Sequence, residues 1–251
     1  MLYAQNVPER ALQIYAKDYP HGHSEPPHQH ACAQLIQAVQ GAIRVSTPQG
    51  LWVIPPGRGV WVPAYTQHSL KMHGLVKLRT LFVDPLARAD LADDCRVISI
   101  SPLLRELILS GLQVAADYPS GGREERLMEL ILDELRGLPV VPLHLPMPKS
   151  ECLLTVCDEV HRSLAAAWDL ASAASLAGVS TRTLSRQFQR ETGLSFIEWL
   201  RRKRLLESLE ALAMGHNVVD VALAVGYDSP SAYSSMFRRC LGVSPSEYLG
   251  L

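Results

Sequence analysis

No stretch of this 251-residue chain approaches the ~20 consecutive apolar residues that a bilayer-spanning helix needs. The opening, MLYAQNVPERALQIYAKDYP, shows neither a basic n-region nor an apolar h-region, so a signal peptide is not expected and a cytoplasmic location is. Cysteine is scarce: Cys32, Cys95, Cys152, Cys157 and Cys240 are odd in number and form no CxxC pair. That excludes a disulfide framework or a zinc ribbon and predicts buried free thiols. Also missing are a nucleophile elbow, a phosphate loop and a dinucleotide fingerprint. The formal net charge is only -1. What is present, 47% hydrophobic and 20% charged residues, is ordinary globular material with enough length for two cores.

Two styles of writing divide the chain. From about residue 34 to 84, QLIQAV, GAIRVST, GLWVIP, GVWVPA, HSLKMH and VKLRTLFVD are short alternating or β-branched runs broken by Gly and Pro. Such runs with short connections predict an antiparallel sandwich or small barrel. From Ser101 the period becomes helical. SPLLRELILSGLQVA has Ser101 as cap and apolar Leu103, Leu104, Leu107, Ile108 and Val114, and REERLMELILDELRG repeats the pattern after DYPSGG. An amphipathic helix pair is expected over about 101–136, either as a dimer interface or as a lid on the sheet. Then LPVVPLHLPMP places Pro139, Pro142, Pro146 and Pro148 close together, which prevents a helix and predicts an extended connector over about 138–148. The domain boundary is expected near residue 146.

The remainder, 149–251, is helix text with an internal echo. Gly193 to Leu200, GLSFIEWL, returns 49 residues later as GVSPSEYL, and the same offset lays Phe188 over Phe237. Each copy holds a short Ala-rich helix, a Gly-containing turn and an amphipathic helix, which is the helix-turn-helix plan. Ala173 and Ala222 allow close crossing, while Leu184 with Phe188 and Tyr233 with Phe237, at i, i+4, face the core. Ser180 and Asp228 or Ser229 are expected caps. The motifs GVSxxxLSRxFxRETG and AxxxGYxSxSxYSxxFRRxLGVSPSEY resemble the DNA-binding domain of the AraC family of transcriptional regulators. That resemblance implies two helix-turn-helix units joined by a long helix, roughly Phe196 to Met214, reading two consecutive major-groove segments about 34 Å apart.

On the first reading helix the inward Leu184 and Phe188 leave Arg182, Ser185 and Arg186 outward, and the two arginines are the expected base readers. On the second, Ser231, Ser234 and Ser235 face outward, with Arg238 and Arg239 suited to phosphates. Residues 149–251 balance 11 basic against 11 acidic side chains, but between Gly178 and Arg204 seven basic residues face only Glu191 and Glu198. A local positive excess is therefore expected at the groove.

The N-terminal half carries HGHSEPPHQHACAQLIQAVQG and PAYTQH. His28, His30, Gln34 and Gly41 are spaced HxHxxxQx6G, and Pro63 and His68 follow; these resemble the two motifs of the cupins, in which histidines and a Glu converge on a metal inside a small β-barrel. The resemblance implies a site of His28, His30, Gln34 and His68 for a divalent transition metal (Zn, Ni, Cu or Fe) or a small-molecule effector. Gln34 replaces the Glu, removing a charge, and Tyr65 replaces a Gly, where it is expected to fill space. A metal-free pocket whose histidines bond the effector is the alternative. Arg58, in PPGRG, is a further candidate anchor for an acidic effector; Trp52 and Trp61 are expected in core or pocket wall.

The whole layout resembles AraC-type regulators with a cupin effector domain: an α+β protein with a cupin-like antiparallel β-barrel and amphipathic helices over 1–146, and an all-α double helix-turn-helix domain over 149–251. The implied partners are a double-stranded DNA operator, a small-molecule effector, a second copy in a homodimer and RNA polymerase, with no membrane. A metal-dependent cupin enzyme fused to a DNA-binding domain is the rival from another class, disfavoured by Gln34 and by the lack of an evident acid or base beyond the histidines.

Overall fold

A computed structural model describes residues 10–249, which divide into two compact units: one ending at Pro142, the other running from Leu143 onward and joined by Gln49–Leu51. In the first unit eight strands precede or flank two helices: β1 (Leu12–Tyr19), β2 (Ser24–His28), β3 (Ala33–Thr47), β4 (Gly50–Ile54), β5 (Arg58–Val62), β6 (His68–Val83), β7 (Arg96–Ser99), α1 (Pro102–Gly111), α2 (Arg123–Arg136) and β8 (Val140–Val141). The order is β1-β6-β3-β5-β7-β8, with β2 on β6 and β4 on β3, and the pairings resolved residue by residue are antiparallel. Its ends, β1 and β8, do not meet, so the expected barrel is an open sheet among the described residues.

Two glycines that read as breaks are bends inside long strands. QLIQAV and GAIRVST are one strand, β3, and HSLKMH and VKLRTLFVD are one strand, β6; their register slips around Gln40. Gly41 and Gly74 both have φ +73° there. Irregular pairing of this kind bends both strands, which lets each serve two sets of neighbours. A Cβ on Gly41 would lie 2.6 Å from the Leu75 carbonyl and 2.8 Å from Val76 Cγ2. Gly57 has a similar φ of +75° and open space around it. Gly41→Ala should therefore cost more stability than Gly57→Ala, by well over ~1 kcal/mol, and thermal melts of the two full-length variants check it.

β2 was not expected, because SEPPH carries Pro26 and Pro27, which cannot donate to a ladder. It is tolerated because it pairs with β6 alone, through an irregular register between Glu25 and His28. The helix pair covers the sheet. Leu104 and Ile108 of α1 and Met128, Ile131 and Leu132 of α2 pack on Leu12, Leu35, Trp61, Leu81 and Val83. Ser101 caps α1 and its hydroxyl also reaches Glu134 of α2 at 3.0 Å. Leu103, Leu109 and Leu130 remain on the outer side.

The second unit opens with β9 (His144–Pro146) and continues as α3 (Glu151–Arg162), α4 (Leu170–Leu176), α5 (Thr181–Thr192), α6 (Phe196–Ala213), α7 (Val218–Ala224), α8 (Pro230–Leu241) and α9 (Pro245–Leu249). Leu184, Phe188, Tyr233 and Phe237 are fully buried, as are Ala173 and Ala222. Phe188 is the hub, edge-on to Phe196 (5.6 Å) and to Trp199 (5.7 Å). Trp199 and Arg202 of α6 in turn donate to the carbonyls of Pro146 (2.8 Å) and His144 (3.0 Å), so the end of the proline-rich stretch is fastened to the long helix. No disulfide forms; Cys32 and Cys157 are buried, and burial pushes the Cys157 thiol up to about 12.

Candidate nucleic-acid interface and ligand site

The echoed phrase is a joint. Gly193 and Gly242 close α5 and α8 in the left-handed conformation, with φ +73° and +81°. The Ser two residues on then starts the next helix. Ser195 Oγ accepts from Glu198 N while Glu198 Oε2 accepts from Ser195 N (2.9 Å), and Ser244 and Glu247 repeat the exchange. Each copy is a helix stop followed by a capping box, which sets a sharp turn between reading helix and next helix. Hydrogen bonds from Ser195 hold the Glu198 carboxyl below its usual range, and those from Ser244 do the same for Glu247.

Ser180 and Ser229 cap α5 and α8, each accepting from the backbone N–H three residues on, Thr183 and Ala232. On α5 Arg182 and Arg186 are exposed one turn apart, Ser185 is half-buried between them, and Arg190 extends the row. That row lies roughly opposite Leu184 and Phe188. On α8 Ser231 and Ser235 are exposed and Ser234 is half-buried, behind Pro230 at the first helical position. Arg238 is exposed but sits 3.3 Å from Glu247, while Arg239 is exposed.

The basic cluster of α6 is different from expectation. Lys203 is buried against Glu207 (2.5 Å), Arg202 is bound to the His144 carbonyl, and Arg204 donates to Leu164 and Ala166 carbonyls at 3.2 and 2.9 Å. These three cations hold the unit together and add little to a groove surface. Of the four in RRKR only Arg201 is exposed.

In the first unit the spacing HxHxxxQ does gather its residues. His28 ends β2 directly opposite His68, which starts β6. His30 follows β2, and Gln34 is the second residue of β3, across from Phe82 of β6. One ligand nitrogen each from His28, His30 and His68 lie within 4.8 Å of one another. His28 Nδ1 is 2.7 Å from the Pro26 carbonyl and His68 Nδ1 is 2.9 Å from that of Thr66. A neutral imidazole bonded so donates through Nδ1 and keeps Nε2 as a lone pair, the arrangement seen around ligating histidines.

The hydrogen bonds around Gln34 reach His68. Thr80 Oγ1 donates to the Leu35 carbonyl (3.1 Å) and so accepts from Gln34 Nε2 (2.9 Å). Gln34 Oε1 in turn meets His68 Nε2 at 3.1 Å, a buried hydrogen bond between the starts of β3 and β6. Either neutral tautomer of His68 satisfies one of its two contacts, Nδ1–H toward Thr66 or Nε2–H toward Gln34, while burial, with the other two histidines adding to the effect, pulls its pKa down to about 4 and disfavours the doubly protonated ring. Arg58 is not part of this group. It pairs with Ala38, four residues along β3 from Gln34, or about 13 Å at strand spacing.

The family description "AraC-like ligand binding domain" matches residues 12–138, and "Helix-turn-helix domain" matches 173–250. The chain belongs to the AraC family. It is a DNA-binding transcriptional regulator with a ligand-binding domain. The HTH-type transcriptional regulator NimR of Escherichia coli K12 is 34% identical over 226 residues, 90% of this chain and 82% of that one. A putative AraC-like transcription regulator of Streptomyces lividans is 31% identical over 66% of each chain. Among solved structures, the DNA-binding domain of AdpA in complex with a target DNA is 33% identical, covering 40% of this chain and 92% of that one, with a TM-score of 0.39. These relatives are regulators, which leaves the enzyme alternative without support. In this AraC-family chain no helix among the described residues is long and apolar enough to cross a membrane. Sequence reasoning counted Arg190 in the basic excess without placing it in the exposed row, and missed Thr80 as the partner that orients Gln34. The i, i+4 spacing from Arg186 could have shown the first; the second pairs residues 46 apart and had no local signal.

Proposed function

We propose that this regulator reads two consecutive major-groove segments with α5 and α8, and that a small-molecule effector controls it from a transition-metal centre held by His28, His30, His68 and Gln34. The convergence of one nitrogen each from His28, His30 and His68 within 4.8 Å, with Gln34 beside His68, supports the sensing half. The three imidazoles with one amide suit Zn, Ni, Cu or Fe. The donor set is neutral, so a bound divalent ion would keep its full charge and supply a Lewis-acidic position open to an effector. Control of DNA binding then requires the effector to bind two states of the protein unequally.

The reading half rests on the exposed arginine row of α5. Arg182 and Arg186 are suited to guanine O6 and N7, while α8 offers hydroxyls and Arg239 for phosphate or weak base contact.

Titration of chelator-treated full-length protein with Co2+ or Zn2+ tests the centre. One equivalent should bind, and His28→Ala combined with His30→Ala should weaken it at least ~100-fold. Undiminished affinity in the double variant removes the histidines from the site.

A further inference from the structure

Tyr65 was expected to fill the space of a glycine. It does the opposite: its side chain is 67% exposed, and at φ 60° it is the one non-glycine in the left-handed region among the described residues. Backbone in that region costs a tyrosine what it would not cost a glycine. An exposed ring returns no burial to offset the strain, and strain without local compensation concentrates at functional sites.

The strained turn is tied to the histidines on both sides. Tyr65 N–H donates to the His30 carbonyl at 2.7 Å, and Thr66, whose N–H closes the turn on Pro63 at 3.3 Å, offers its own carbonyl to His68 Nδ1 at 2.9 Å. His30 and His68 are buried and His28 is half-buried, so His28 is the most accessible of the three. The packing behind it is aromatic: Phe82 stands edge-on to His30 at 5.0 Å, and Tyr15 edge-on to Phe82 at 5.8 Å.

We infer that Tyr65 is a specificity-determining residue of the ligand site, its ring being the outer wall on which a planar aromatic or heteroaromatic donor ligand stacks. This rests on reading His28, His30, His68 and Gln34 as a metal centre. The chemistry selects a flat ligand with one nitrogen or oxygen donor: the donor takes the open position on the ion, and the flat face meets the phenol ring. A purely aliphatic donor would use the ion and leave Tyr65 idle.

The test uses full-length protein loaded with Co2+ and titrated, through its visible absorption, with imidazole and with 4-phenylimidazole. Wild type and Tyr65→Phe should prefer the phenyl compound more than Tyr65→Ala does, by about 2- to 12-fold, the range of one aromatic contact. Imidazole itself should bind all three alike. Tyr65→Gly should lose the same preference while the metal-free protein melts at a higher temperature, since glycine accepts this backbone. An unchanged preference in Tyr65→Ala, or one lost equally in Tyr65→Phe, overturns the stacking role and leaves the metal centre standing. Failure of wild type to bind Co2+ overturns both.

Discussion

Replacing Arg182 and Arg186 together by alanine should reduce operator affinity by about 2–6 kcal/mol, since each bidentate guanidinium–guanine pair contributes ~1–3 kcal/mol of discrimination. The loss should fall on specific binding far more than on binding to random DNA. Phosphate contacts set the latter, and Arg201, Arg190 and Arg239 remain. Fluorescence anisotropy at one fixed salt concentration, on a site recovered by genome-wide mapping of bound DNA, measures both. Arg186→Ala alone should relax preference at a single base position. Equal loss on random and operator DNA would show that these arginines touch phosphates instead, and no loss would put α5 outside the groove.

The second large effect is on stability. Phe188→Ala removes a fully buried ring that sits edge-on to both Phe196 and Trp199, so its cost should be about 3–5 kcal/mol. A domain of this size has only ~5–15 kcal/mol in total, so the second unit should be largely or partly melted at 37 °C. Hydrogen exchange on the full chain, followed separately over 12–138 and 149–249, distinguishes this from global unfolding. Leu176→Ala, an exposed position 12 residues earlier, should stay within ~0.5 kcal/mol. Comparable protection of the second unit in both variants would mean that Phe188 is not its hub.

The helical half was legible because its signals are local. Caps at Ser180 and Ser229 and buried pairs at i, i+4 operate within one or two turns, so single-sequence spacing captures them; the Ser195 cap and the left-handed Gly193 and Gly242 showed only as a repeated phrase. The sheet was less so. Gly41 looks like a turn by composition, and only the Leu75 carbonyl packed against it shows why the chain bends there without stopping. Pro26 and Pro27 hid β2, and closure into a barrel depends on which strands end the sheet, a long-range property that no run of residues states.

Site residues follow the same division. His28, His30, Gln34 and His68 were named from spacing and are brought together, because strand pairing places His68 opposite His28. Arg58 was named from composition alone and lies at the start of β5, opposite Ala38, away from the histidines. The cations of RRKR were credited to the groove by charge, yet carbonyl partners claim Arg202 and Arg204, and burial against Glu207 claims Lys203. Charge counts do not say which side of a helix faces water.

Glu191, counted at first only as a negative charge near the reading helix, takes three hydrogen bonds on one oxygen from the residues that begin α3: Lys149 N at 2.9 Å, Ser150 N at 3.0 Å and Ser150 Oγ at 3.1 Å. The point where the polypeptide enters α3 and the far end of the helix bearing Arg182 and Arg186 thus share a single mechanical node. The segment that enters α3 is therefore held twice, to α6 through Pro146 and His144 and to α5 through Lys149 and Ser150, which leaves it little freedom of its own.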